Sequence, residues 1–171
     1  MIETFEYLQH FQRPVEIFKE HVNTGLAGLT IRGLLNAYKE IEELNLSTSI
    51  ELTGYSNNVK KEMSESSIFA MTSIFEGFPL VLLEAMSCGL PPVTFAYQFG
   101  PKDTITDGKN GLLVYNRDIK SLSEKLIYLI QHENIRKEMG NQALIRVEDF
   151  SLNNIIKKWV ALFQTEIKRK H

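Results

Sequence analysis

I-F-A-M-T-S-I-F-E-G-F-P-L-V-L-L-E-A-M-S-C-G, residues 68–89, reads as a strand, a loop and a helix in that order. Ile68 to Met71 is a short apolar run suited to a buried strand. Thr72 to Phe78 has no helical pattern and carries one glycine. Pro79 opens the next run, Leu80 to Met86, which stops at Cys88-Gly89. Proline at the first helical position and glycine just past the end are the expected punctuation of a helix. Glu76 then sits in the loop at the strand's carboxyl end, the edge of an open α/β sheet where ligands bind. A helix start leaves backbone N–H groups unpaired and carries partial positive charge, so it suits a phosphate without any basic side chain.

The helical run is apolar nearly all round, a pattern that predicts burial, and Glu84 is its single charge. A buried carboxylate requires hydrogen-bond donors. Glu84 lies about 7.5 Å along the axis from Pro79. Phosphates at the helix start would therefore bring ribose hydroxyls near Glu84, with Glu76 meeting hydroxyls on the other side of the diphosphate. Taken alone, the two glutamates fit a plainer account better: a loop acid, and a helix acid that faces solvent or pairs with a lysine.

The words around them change that balance. E-G-F-P-L-V-L-L-E is a Glu-x7-Glu motif, followed by S-C-G-L-P and, at 100–114, G-P-K-D-T-I-T-D-G-K-N-G-L-L-V. The stretch resembles the donor half of a retaining glycosyltransferase of family 4, with the GT-B fold. The resemblance covers roughly residues 26 to 165 and is specific across 50 to 115. It implies that Glu76 lies by the donor sugar and acts catalytically. It implies that Gly77, Phe78, Pro79 and Leu80 form the phosphate loop and helix start, and that Glu84 binds the nucleotide ribose. The loop at Gly54 and Tyr55 would line the base; on sequence alone it reads equally as a plain turn. The implied donor is a nucleoside-diphosphate sugar, UDP-linked by the resemblance, with no metal and no separate cofactor. The implied acceptor is a glycan or a lipid-linked glycan of the cell envelope.

Strand-like and helix-like runs alternate outward from this centre. Leu26 to Arg32, Ile50 to Thr53, Pro92 to Ala96 and Leu112 to Tyr115 read as further strands. Leu34, Ala37, Tyr38, Ile41 and Leu44 mark an amphipathic helix whose outer face carries Lys39, Glu40, Glu42 and Glu43. Val59 to Glu65 and Lys102 to Thr106 read as short helices. The expected fold is α/β, a Rossmann-like parallel sheet of about five strands with flanking helices and a helical C-terminus, one half of a GT-B fold.

That C-terminus predicts three helices. Asp118 caps the first, with Ile119, Leu122, Leu126, Ile127 and Ile130 on one face. The second carries Ile135, Met139, Ala143 and Val147. Ser151 caps the third, with Ile155, Ile156, Trp159, Val160, Phe163 and Ile167 on one side. Such a stripe is more often core than interface, but here either role would do; in the resembled fold the last helix braces the partner domain. The basic tail 168–171 can touch an anionic membrane surface, although a solvated chain end is the plainer reading.

The expected organisation is an unplaced helical segment at 1–24 and a donor-binding domain at 25–171. At roughly 100–200 residues per domain, the 171 residues hold one domain, so the acceptor domain is expected to be absent. The Arg and Lys that the family supplies near the start of the donor domain have no match here. A non-catalytic module, or one subunit of a split enzyme with a partner supplying the acceptor site, therefore stands beside the enzyme reading. A GT-B epimerase ranks behind both.

Composition narrows the classes. With 43% hydrophobic and 23% charged residues the chain is globular, and a net charge of −2 gives no basic bias toward nucleic acid. Cys88 is the single cysteine, so no internal disulfide is possible; a packed thiol at a helix end is its expected role. No apolar run is long enough to span a bilayer, and the expected location is cytoplasmic, at the inner face of the membrane where peripheral contact is made. His10, His21, His132 and His171 lack metal-ligand spacing, and there is no Asp-x-Asp pair, P-loop or Gly-x-Ser-x-Gly elbow.

Overall fold

The computed structural model describes residues 24–25, 39–51, 56–73, 77–96 and 99–169. Among the described residues four strands form one parallel sheet in the order β1 (Thr24–Gly25), β2 (Ile68–Met71), β3 (Pro92–Phe95) and β4 (Leu112–Val114). Phe69 stands beside Gly25 and Pro92, and Thr94 beside Leu113. Because every pairing is parallel, the strands' carboxyl ends share one edge. The loops that follow Met71, Phe95 and Val114 all leave from it.

The helices are α1 (Val59–Glu65), α2 (Leu80–Ser87), α3 (Pro101–Thr104), α4 (Ile119–Gln131), α5 (Glu133–Val147) and α6 (Leu152–Arg169), with a helical stretch at 39–43. The core is a single cluster. Ile68, Phe69, Met71, Val93, Phe95 and Leu112 to Val114 come from the sheet; Leu82, Ala85 and Met86 from α2; Leu122, Leu126, Leu129 and Ile130 from α4; and Met139 and Ala143 from α5. The buried run of β3 is apolar except for Thr94, as expected of a parallel strand covered on both faces.

Local chemistry sets the boundaries. The Asn58 side chain accepts from Lys61 N at 3.2 Å and caps α1, and Asp118 accepts from Lys120 N at 3.0 Å and caps α4. The far end of α4 is closed by Arg136, whose Nη1 donates to the carbonyls of Leu129 (2.8 Å) and Ile130 (3.0 Å). β4 ends one residue earlier than expected because Asn116 and Arg117 take left-handed backbone angles (φ 56° and 53°), turning the chain into a 3-10 turn over Tyr115–Arg117. β3 also stops one residue short, although Ala96 N still donates to Val114 O at 2.8 Å.

Several expectations need correction. Ile50 and Glu51 are not in a strand. The amides of Ser49 and Ile50 donate to Leu46 O at 2.8 and 3.0 Å, which winds this stretch into a turn; Leu52 and Thr53 lie outside the described residues. Glu40 is not on the outer face: it is only 6% exposed. It stands one turn from Leu44 and so shares a face with part of the apolar stripe. Of the two roles left open for the Trp159–Phe163 stripe, core does not apply: no residue of α6 is buried. The strand expected at Leu26 to Arg32, and the segment expected to be helical at 1–24 except for Thr24 in β1, lie outside the described residues.

Candidate donor site at the carboxyl edge

The chain leaves β2 at Met71 and enters α2 at Leu80. Pro79 is the N-cap rather than the first helical residue, with extended angles (φ −78°, ψ 94°). Its ring fixes φ, and its carbonyl accepts from Leu82 N at 3.0 Å, so it sets the direction of the first turn. No side chain caps this start. Among the described residues the amides of Leu80 and Val81 have no acceptor, which leaves them free for an anion.

The other end of α2 is fixed. Leu90 N donates to Ala85 O (3.2 Å) and Gly89 N to Met86 O (3.0 Å), a Schellman closure that needs the positive φ of Gly89. α5 presses on this turn: a Cβ at Gly140 would run into the carbonyl oxygen of Gly89. Cys88 is half-buried there and packs against the core, as expected of a structural thiol.

α2 is buried on one face only. Leu82, Ala85 and Met86 are covered, while Leu80, Glu84 and Ser87, spaced by four and three residues, form an exposed strip. Glu84 is therefore not a buried carboxylate, and the inference that burial obliges it to find donors does not hold. Its backbone carbonyl accepts from Ser87 Oγ at 2.7 Å, but no described residue pairs with its carboxylate. That strip runs from the open helix start to an uncommitted acid.

Gly77 and Phe78 are exposed in the loop before α2, and Pro79 is buried. Of the other residues singled out by the sequence, Glu76, Gly54 and Tyr55 lie outside the described residues. The structure thus brings together Gly77, Phe78, Pro79, Leu80 and Glu84.

The G-P-K-D-T-I-T-D-G-K-N-G stretch holds the edge in shape. Gly100 N donates to Asp103 Oδ2 at 3.0 Å and starts α3. Buried Asn110 accepts from Thr106 N (2.6 Å) and donates to Thr104 O (3.2 Å), and Asp107 Oδ1 accepts from Leu113 N (2.8 Å). Among the described residues no group of three or more His, Cys, Asp or Glu is placed to hold a metal ion.

Two residues not anticipated from the sequence reach this region. Arg146, near the end of α5, donates from Nε to Thr104 O (3.1 Å) and from Nη2 to Asp103 O (2.6 Å), and pairs through Nη1 with Asp149 (2.7 Å). Its guanidinium carbon lies 5.0 Å from the centre of the Phe150 ring, and that ring lies 5.7 Å from the ring of Phe78. The local pattern shows Arg146 only as a basic residue in a last helical turn, so nothing in the sequence marks contacts made 42 and 43 residues away.

Residues 16–146 match the model of the glycosyl transferases group 1. The chain belongs to that family. Its fold is α/β and Rossmann-like, with GT-B proteins as structural neighbours. The chain is 36% identical over 121 residues to the poly(glycerol-phosphate) alpha-glucosyltransferase of Bacillus subtilis, a match that covers 71% of this chain and 18% of that one. It is 34% identical over 128 residues to the poly(ribitol-phosphate) alpha-N-acetylglucosaminyltransferase of Staphylococcus aureus, covering 74% of this chain and 26% of the relative. A solved structure of S. aureus TarM with Fondaparinux, alpha-GlcNAc-glycerol and UDP superposes with a TM-score of 0.73 at 27% identity, over 93% of this chain and 33% of that one. The chain thus spans well under half the length of these group 1 relatives.

Proposed function

We propose that this chain is the donor-binding domain of a retaining glycosyltransferase of family 4, organised as an N-terminal segment at 1–24 and a nucleotide-sugar domain at 25–171. The donor is a UDP-linked hexose and the acceptor a glycan or lipid-linked polymer of the cell envelope. The observation that carries this reading is the uncapped start of α2 at the sheet's carboxyl edge, with the uncommitted carboxylate of Glu84 on the same exposed strip. The UDP in the TarM structure and the polyol-phosphate glycosyltransferases among the relatives support it.

In this mechanism the diphosphate sits against the amides of Leu80 and Val81, with Gly77 and Phe78 forming the loop beside it. Glu84 accepts hydrogen bonds from the ribose hydroxyls, and the 54–55 loop faces the base. As the bond from the anomeric carbon to the diphosphate breaks, negative charge grows on the leaving oxygen, where fixed N–H dipoles stabilise it without reorganising. Glu76 positions the sugar and steadies the electron-poor anomeric carbon. The acceptor oxygen bonds to that carbon on the face the diphosphate leaves, and its proton passes to the departing phosphate, so atoms and charges balance and configuration is retained.

The acceptor side comes, on this reading, from a partner domain or subunit seated on α6. Leu152, Ile156, Trp159, Phe163 and Ile167 present an exposed apolar stripe that no described residue covers. That same open face supports the second reading, a nucleotide-sugar-binding subunit of a split enzyme that acts only with its partner. Among the described residues no helix is long and apolar enough to cross a membrane. Peripheral contact at the inner face of the membrane through the basic end of α6 belongs to the same proposal.

Calorimetric titration of the purified chain with UDP, GDP and UDP-glucose tests the donor site. The expected result is selective binding of the uridine ligands and its loss in Glu84→Ala. Equal binding by wild type and Glu84→Ala, or none by wild type, contradicts the reading.

A further inference from the structure

Gly77 and Phe78, just before Pro79, make no backbone hydrogen bond among the described residues. Among the described residues, chain neighbours aside, no atom lies within 4 Å of where a Cβ on Gly77 would stand, and Pro79 has no N–H to donate. Phe78, between them, is 44% exposed. A large apolar ring between a glycine and a proline on an open edge is expected to swing unless something meets it. What meets it is Phe150, at a centroid distance of 5.7 Å and a tilt of 46°.

Phe150 is in turn held. Arg146, one helical turn earlier in sequence, lays its guanidinium over the ring at 5.0 Å. The same guanidinium is fixed at three points: the carbonyls of Thr104 and Asp103, and the carboxylate of Asp149. A planar donor fork tied at three points leaves little freedom to its plane. The 103–104 carbonyls are themselves anchored, since Thr104 Oγ1 donates to Gly100 O at 3.0 Å and Thr104 O also accepts from the Asn110 side chain. Contacts therefore run from the loop after β3, through Arg146 and Phe150, to the loop after β2.

We infer that Phe150, oriented by Arg146, is a positioning residue that holds Phe78 and thereby aims the amides at the start of α2. The inference rests on the proposed donor site. Its chemistry is that of preorganisation: dipoles that must point at a diphosphate stabilise it best when already fixed. Neither residue touches the ligand in this account. Arg146 acts through Phe150, and Phe150 through Phe78 and Pro79.

The test compares wild type with Phe150→Leu, Phe150→Tyr and Ile130→Val, the last a remote core change that costs some stability without reaching the loop. Two readouts are taken: amide hydrogen exchange across 77–81 in the ligand-free chain, and UDP affinity by calorimetry. Phe150→Leu is expected to speed exchange at 77–81 several-fold beyond Ile130→Val, and to weaken UDP binding about five- to tenfold, the scale of one aromatic pair. Phe150→Tyr keeps the ring and is expected to retain both properties. Exchange at 77–81 no faster in Phe150→Leu than in Ile130→Val overturns the inference, as does an unchanged UDP affinity in a chain that binds UDP. If wild type binds no UDP, the donor-site reading fails, and the exchange result alone decides whether Phe150 positions the loop.

Discussion

α4 and α6 carry the same kind of sequence pattern and end in opposite environments. Each has apolar residues at helical spacing along one face and charges on the other. In α4, Leu122, Leu126, Leu129 and Ile130 are buried against the sheet. In α6, Trp159 is 54% and Phe163 56% exposed, and the two rings stack on each other at 5.6 Å. The period of a pattern dictates that a helix has an apolar face. It does not dictate which part of a molecule covers that face, because coverage depends on where the chain is led. Both helices follow a 3-10 turn, at Tyr115–Arg117 and Glu148–Phe150, yet α4 lies back on the sheet while no residue of α6 is buried.

This difference can be broken or sharpened by substitution. The largest expected effect is Leu126→Ala in α4. Removing a fully buried leucine should lower unfolding free energy by about 2–5 kcal/mol, read from the denaturant midpoint. A loss as small as that of an exposed site would contradict the described core. Next comes Glu40→Gln. Burial, and then the charge of Glu43, push the Glu40 carboxyl above its ordinary range, and among the described residues its Oε2 has no hydrogen-bond partner. A group whose folded-state pKa is raised favours the fold below its unfolded pKa and loses that contribution as pH rises through the folded value. Glu40→Gln should therefore raise the melting temperature at pH 7, by roughly 2–4 °C, with the gain fading toward pH 4. A lower melting temperature at pH 7 would show that the buried carboxylate is paired. The smallest effect belongs to Phe163→Ala in α6, expected within about 0.5 kcal/mol of wild type in the isolated chain. A loss comparable to that of Leu126→Ala would mean that the α6 stripe is covered after all.

Much of the frame is legible in the sequence for reasons the structure makes plain. β2, β3 and β4 are short apolar runs bounded by glycine, proline and turn dipeptides, and the observed ends differ by no more than one residue. α4 announces itself through Asp118, and α2 through Pro79 and Gly89. Ile50 and Glu51 mislead because their composition suits a strand while the backbone bonds to Leu46 O commit the segment to a turn. Glu84 misleads differently. A helix apolar in composition was expected to be buried all round, yet only one face has neighbours.

The proposed donor site is legible as a local arrangement and illegible as an assembly. Strand, loop, proline and helix start can be read in order, and with them the free amides. Arg146 and Phe150 cannot, since their contacts join positions far apart in the chain and depend on where α5 ends. Motif words that resemble a ligand site also turn out to do structural work: Asp107 and Asn110 bond to the backbone of β4, of α3 and of the turn between them.

The central claim is that the start of α2 receives the donor's diphosphate. Backbone-amide NMR of the chain titrated with UDP tests it most directly. The account predicts the largest shifts at Gly77, Phe78, Leu80 and Val81, abolished or greatly weakened in Glu84→Ala. Shifts confined to other parts of the molecule, or a titration that leaves these four amides unmoved, would contradict it.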